Sequence, residues 1–255
     1  MLNESRAIVI IAKRPKEDTL FYYENNFPTE KLICVCPELD EFNSINKFEF
    51  REDDSFLDRK SFFKSCSIER KGWYYQQFLK YEIILQLPYD HVHIIDGDSL
   101  LSPTLLFNHN VRKTPLKINI SYNNFLLKIK KDCIKFTREN FITNEMSFKR
   151  NELLSMLSDL GVNSNNYIEL FIAWISLESW FSEYQLYALY KRDVCKVTTS
   201  KMKVFRRFDL IPSFLKKIYK WNERYDLVAN EFHHKSGIIR RTRAIVYYMI
   251  SKNLG

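Results

Sequence analysis

The chain has 255 residues, of which 45% are hydrophobic and 15% aromatic, with 5 Gly, 7 Pro and a net charge of +8. It is apolar enough for a sizeable core and too poor in Gly and Pro for long flexible linkers, which excludes a disordered or low-complexity polymer. The basic excess suits polyanions (nucleic acid, anionic lipid headgroups or phosphorylated substrates) without choosing among them.

Residues 7–12 (AIVIIA) read as a buried first strand, followed by a polar loop at 13–16 and a short helix at 18–26. This apolar stretch is too short for a signal peptide, and Lys13 and Arg14 follow it. No run approaches the ~18 apolar residues that span a bilayer. The expectation is a soluble cytoplasmic protein, with association at the cytoplasmic face of a membrane as an option. Residues 32–36 (LICVC) read as a second strand and 47–51 as a third, while 55–67 is ambiguous. Cys34 and Cys36 fall in that apolar run. With Cys66, Cys133 and Cys195 they form no Cys-x-x-Cys pair, which argues against a zinc ribbon or a disulfide scaffold and suits a reducing compartment.

Residues 72–87 have apolar positions at helical spacing, and Pro88 ends the helix. The run 91–96 is then a strand that delivers Asp96-Gly97-Asp98 at its exit. Alternation of strands and helices predicts an α/β fold with a mixed, mainly parallel sheet flanked by helices. Further on, 104–107, 116–121 and 125–136 carry strand-like patches. Residues 141–148 read as a strand, and 150–160 as a helix that Gly161 caps. Helices at 166–178 and 182–191 follow, then an extended basic stretch at 194–208 to which Arg206 and Arg207 belong. A helix at 213–222, a strand at 227–232 and a basic amphipathic helix at 238–253 complete the chain. That last helix suits either an anionic membrane surface or packing on the core.

Two carboxylates at a strand exit can hold a divalent cation, because hard cations want oxygen ligands. In α/β sheets the carboxyl ends of strands are also where ligands bind. A metal held there can clamp a diphosphate. A strand-to-turn junction capped by Asp98 explains the same residues without any ligand. Gln76, Gln77 and Lys80 lie within little more than a helical turn. Their amides can hydrogen-bond a base or ribose, and the ammonium can meet a phosphate. The alternative is a polar helix surface with Trp73 in the core.

The block Gly72-Trp73-Tyr74-Tyr75-Gln76-Gln77-Phe78-Leu79-Lys80, followed by Ile94-Ile95-Asp96-Gly97-Asp98, resembles bacterial glycosyltransferases of the GT-A type found in polysaccharide and capsule loci. Phe141-Ile142-Thr143-Asn144-Glu145-Met146 and Trp180-Phe181-Ser182-Glu183-Tyr184 match in the same order, and the similarity fades after residue 190. The resemblance implies a GT-A-like (Rossmann-like) domain over 1–255, with donor binding in about 1–110 and acceptor binding in about 111–255. It implies transfer of a sugar from a nucleotide-sugar to a glycan or lipid-linked glycan hydroxyl in cell-surface polysaccharide synthesis.

Under that resemblance Asp96 and Asp98 hold Mn²⁺ or Mg²⁺. Asp98 is the direct ligand, and Asp96 reaches the ribose or meets the metal through water. Trp73, Gln76, Gln77, Lys80 and Lys235 contact the donor, and Asn144 and Glu145 line the acceptor pocket. His234 adds a late metal ligand. Glu183, behind Ser182 as N-cap, is the general base of an inverting reaction. Two other classes use the same features. A haloacid-dehalogenase-like phosphatase would use Asp96 as nucleophile, although Leu100 stands where that motif has Thr or Val. A nucleic-acid-binding protein would use the basic surface, although no recognisable nucleic-acid module is present.

Overall fold

The computed structural model describes residues 4–39, 45–107, 110–129, 134–202, 204–206 and 227–229. A five-stranded sheet forms its centre, in the order β3-β2-β1-β4-β8. Strands β1 (Arg6–Ile11), β2 (Lys31–Cys36), β3 (Phe48–Glu52) and β4 (His91–Asp96) are parallel, and β8 (Glu145–Lys149) runs antiparallel to β4. The mixed, mainly parallel sheet flanked by helices is the fold class that the sequence predicts.

Two hydrophobic clusters cover the two faces of the sheet, and the period of two along each strand sorts residues between them. Ala7, Val9, Val92 and Ile94 face the larger cluster. It is built from α2 (Arg59–Ser65), α3 (Lys71–Gln86), α4 (Ile120–Ile129), α5 (Arg150–Asp159), α6 (Tyr167–Trp174) and α7 (Glu183–Asp193). Ile8, Ile10 and Ile95 face the smaller cluster with α1 (Glu17–Asn26). With both faces covered, the parallel strands read as continuous apolar runs, which is why they stand out in the sequence.

Two small sheets lie beside the main one. β5 (Ser99–Leu101) pairs with β11 (Leu227–Ala229), which pairs with β10 (Val204–Arg206). β6 (Val111–Lys117) joins β7 (Glu139–Asn140) and β9 (Thr199–Lys201).

The middle of the chain departs from the expected elements. Residues 120–129, which overlap the two patches read as strand-like at 116–121 and 125–136, form α4, burying Ser121, Phe125 and Ile129 at four-residue spacing. A short run such as Phe125-Leu126-Leu127 fits either period, and packing decides. A 3₁₀ turn (Pro103–Leu105) overlaps the patch at 104–107, and another (Asp53–Ser55) runs into the ambiguous 55–67, which holds α2. The strand expected at 141–148 begins at Glu145, and the helix at 166–178 ends at Trp174. Gly161 does close α5. At φ 75° its N–H donates to the Ser158 carbonyl, and Val162 N donates to Leu157.

The helices expected at 213–222 and 238–253, together with His234 and Lys235, lie outside the described residues. No helix among the described residues is long and apolar enough to cross a membrane.

Candidate functional site

β1 connects to β2 on one side, while β4 lies on its other side, so the strand order switches direction between β1 and β4. Connections leave such a point in opposite directions and open a crevice at the carboxyl ends of the strands. A cleft of about 830 Å³ lies at the exits of these strands. It is lined by the β1 exit loop (Lys13, Arg14 and Lys16), by α3 and by Asp96-Gly97-Asp98. That volume is in the range of small-molecule sites.

Gly97 is fixed by the same geometry. Its N–H donates to the Ile11 carbonyl at 2.8 Å. A Cβ at this position would lie 2.3 Å from Ala12 Cβ and 2.9 Å from Ala12 Cα. The two strand exits can touch only because the residue between the aspartates has no side chain. Asp96 N donates to the Asn144 carbonyl at 2.9 Å, which fixes the other edge of the turn.

The α3 face toward the cleft carries Trp73, Gln76, Gln77 and Lys80. Trp73, for which the sequence allows a core position, is half-buried and lines the cleft. Gln77 is 6% exposed and turns toward the cleft. Lys80 is engaged differently from a lysine waiting for phosphate. Its Nζ lies 2.7 Å from Asp96 Oδ1 and 2.7 Å from Glu183 Oε1, and 4.2 Å from the centroid of the Tyr184 ring. Burial alone would lower the Lys80 pKa. Asp96 and then Glu183 outweigh burial and hold it well above the ordinary lysine value. Lys80 is therefore a permanent buried cation.

Glu183 sits below this lysine. Ser182 caps α7 by accepting from Gln185 N at 3.4 Å, the arrangement the sequence predicts. The Glu183 carboxylate itself has no exposure and does not line the cleft. Burial raises its pKa, and Lys80 pulls it only part of the way back. One ammonium serves two carboxylates, so the more deeply buried of the two is the harder to ionise. A base facing an acceptor hydroxyl needs access to it, and this position does not provide that.

Asn144 and Glu145, expected together in one pocket, are separated. Asn144 lines the cleft at φ 65°, whereas Glu145 begins β8 on the opposite face of the sheet. Its carboxylate lies 2.7 Å from His93 Nε2 and 2.9 Å from Arg112 Nη1. Burial would raise the Glu145 pKa, but the Arg112 guanidinium and the His93 bond lower it below its usual value. Asn144 stands in a left-handed turn just before β8, while Glu145 as the first strand residue points to the face that carries His93, so only Asn144 lines the cleft.

The sequence reading missed Arg70, which also lines the cleft, and it read 13–16 only as a polar loop. The available signal was position: both segments flank elements whose ends meet at the crevice.

Fold and site together define an α/β protein with an acidic pair and a basic rim at a strand-order switch point. No family model matches the chain, and no curated protein matches its sequence. Among solved structures it is similar to glucosyl-3-phosphoglycerate synthase from Mycobacterium tuberculosis, crystallised with Mn²⁺, uridine-diphosphate-glucose and phosphoglyceric acid. The identity is 13%, with 78% of this chain and 70% of that chain covered and a TM-score of 0.35.

Proposed function

We propose that the chain is a metal-dependent glycosyltransferase that moves a sugar from a nucleotide-sugar donor to a glycan hydroxyl during cell-surface polysaccharide assembly. The observation that carries the reading is the cleft at the β1/β4 exits, with Asp96-Gly97-Asp98 at its floor and Lys13 and Arg14 on its rim. The motif resemblance of α3 and β4 supports the reaction class and the polysaccharide setting.

The residues present fit a divalent cation. Among the described residues no group of three or more His, Cys, Asp or Glu side chains could hold a metal. Asp96 and Asp98 would hold such a cation as two carboxylate ligands, few enough to suit Mg²⁺ or Mn²⁺, which are commonly bound by one or two carboxylates. By the motif resemblance Asp98 would ligate it directly; Ser99 Oγ donates to Asp98 Oδ1 at 3.1 Å, and Lys80 Nζ lies 2.7 Å from Asp96 Oδ1. When bound, the metal neutralises charge on the departing diphosphate.

The chain's own groups do the rest. Lys13 and Arg14 attract the diphosphate electrostatically, Gln77 offers a donor and an acceptor to a hydroxyl, and Lys80 fixes Asp96 at the strand exit. Glu183 holds Lys80 in place. Asp96 and Asp98 are the only carboxylates lining the cleft among the described residues. Glu183 lies buried against Lys80 and does not line the cleft, so the proposal carries no stereochemical outcome.

Thermal unfolding with UDP, CDP or GDP, each with and without Mn²⁺, tests the reading. Binding at a hundredfold excess over Kd raises stability by about 2.7 kcal/mol. The shift should require both nucleotide and metal and should vanish in Asp98→Ala. If no nucleoside diphosphate with Mn²⁺ raises the midpoint, while duplex DNA does, the proposal is wrong.

A further inference from the structure

The cleft extends well beyond its aspartate end. Arg70, Trp73, Gln77 and Lys80 stand at i, i+3, i+7 and i+10 along α3 and its N-cap, so one stripe of the helix follows the cleft. At 1.5 Å rise per residue, the Arg70 end is about 15 Å from the Lys80 end. Lys80 touches Asp96, so a diphosphate held at the aspartates is remote from Arg70.

At the far end the exposed Arg70 carries its guanidinium against two indoles. Arg70 Cζ lies 4.9 Å from the Trp73 ring centroid and 5.6 Å from the Trp180 ring centroid. Trp180 is itself fixed: its Nε1 donates to the Leu177 carbonyl at 2.9 Å, and its ring meets Tyr122 edge-on at 5.7 Å. Arg70 adopts φ 59°, a left-handed conformation that is uncommon for a non-glycine residue. Its guanidinium makes no hydrogen bond or ion pair among the described residues. A guanidinium held against aromatic rings keeps N–H groups that can pair with an oxyanion. Between the two ends, Gln77 lines the cleft with a side-chain amide that can donate to and accept from a hydroxyl. Arg70, Trp73 and Gln77 thus line one continuous stretch of the cleft beyond the aspartates.

We propose that Arg70, clamped by Trp73 and Trp180, binds a carboxylate or phosphate group on the second substrate, so that the acceptor is an anionic saccharide whose hydroxyls Gln77 meets. This rests on the glycosyltransferase reading. Lys13 and Arg14 remain with the donor.

The test uses the full chain with UDP and Mn²⁺, titrated with methyl β-glucuronide, glucose 1-phosphate and methyl β-glucoside. Binding is followed by tryptophan fluorescence and by saturation-transfer NMR. One of the charged probes should bind at least tenfold tighter than the neutral glucoside, and which one does so identifies carboxylate or phosphate. Arg70→Met should abolish that preference while nucleotide–Mn²⁺ affinity changes less than twofold. Arg70→Lys should not restore it, because an ammonium cannot stack as a plane. Equal binding of charged and neutral probes by the unaltered protein overturns the proposal. So does a tenfold loss of nucleotide affinity in Arg70→Met, which would give the guanidinium to the donor. If UDP–Mn²⁺ fails to bind but the charged preference and its loss in Arg70→Met persist, the oxyanion subsite stands and the glycosyltransferase reading falls.

Discussion

Glu145 and Glu183 are both carboxylates buried against cations beside β4, and they differ in what lies beyond the cation. Glu145 faces Arg112 and His93 in a closed node. Arg112 also donates to the Leu105 carbonyl, and Phe107 N donates to His93 Nδ1 at 3.3 Å. Glu183 shares Lys80 with Asp96, and Asp96 lines the cleft. The first node spends its charges on itself. The second leaves an excess carboxylate at the cleft floor, opposite the cations of the rim. The alternation of β4 separates them, with His93 on one face and Asp96 on the other. A buried ion pair is therefore not a functional signal in itself; its connection to a cleft makes it one.

The sharpest way to break this contrast is to remove each cation. Arg112→Met leaves Glu145 buried and uncompensated and should cost about 3–5 kcal/mol in denaturant unfolding. It should do so without weakening nucleotide–metal binding to the folded fraction. Lys80→Met should cost somewhat less, because water enters from the cleft, yet it should impair ligand binding. Lys80→Met with Glu183→Gln removes both buried charges and should recover most of the stability without recovering binding. If the double variant binds nucleotide normally, Lys80 has no positioning role.

A smaller effect is expected from Gly97→Ala. Its methyl meets Ala12 backbone and side chain, which cannot swing away, so the strand exits must part. Overpacking of this kind costs about 1–3 kcal/mol. It should weaken nucleotide binding beyond what the stability loss explains, as calorimetry on the folded protein would show.

Titration separates the nodes with opposite signs. Glu145 has a folded pKa below its ordinary 4.5, so its stabilisation is present above that value and is lost as pH falls through the folded pKa. Glu183 is raised above 4.5, so its contribution is greatest below that value and is lost as pH rises through the folded pKa. His93, lowered from 6.5 by burial, adds a loss of stability as pH drops below 6.5. Each group contributes a slope of at most about 1.4 kcal/mol per pH unit. Unfolding curves for Glu145→Gln and Glu183→Gln between pH 4 and 8 should diverge from the parent in opposite directions. Parallel changes would show that the nodes are electrostatically alike. Asp98→Ala should have the smallest effect on the unliganded protein, close to zero by thermal melt, while abolishing stabilisation by nucleotide and Mn²⁺.

Periodicity and turn chemistry made much of this molecule legible in advance. The apolar runs of β1, β2 and β4 are legible because strands covered on both faces need no polar alternation. The length of α3, the Gly161 cap and the Ser182 cap follow from local backbone requirements that no distant contact alters. The aspartates at the exit of β4 were visible because residue order alone puts them there.

Side-chain direction was not legible. Ser182-Glu183 reads the same whether its carboxylate meets an acceptor or a buried lysine 103 positions earlier in the chain. Arg70 had no pattern of its own, because its partners Trp73 and Trp180 are distant from each other in sequence. Local rules decide what a segment becomes, since they act through bonds and near neighbours. Which charge faces the cleft depended on how α3, α7 and β8 pack around β4, where desolvation and countercharge are set by residues far away along the chain.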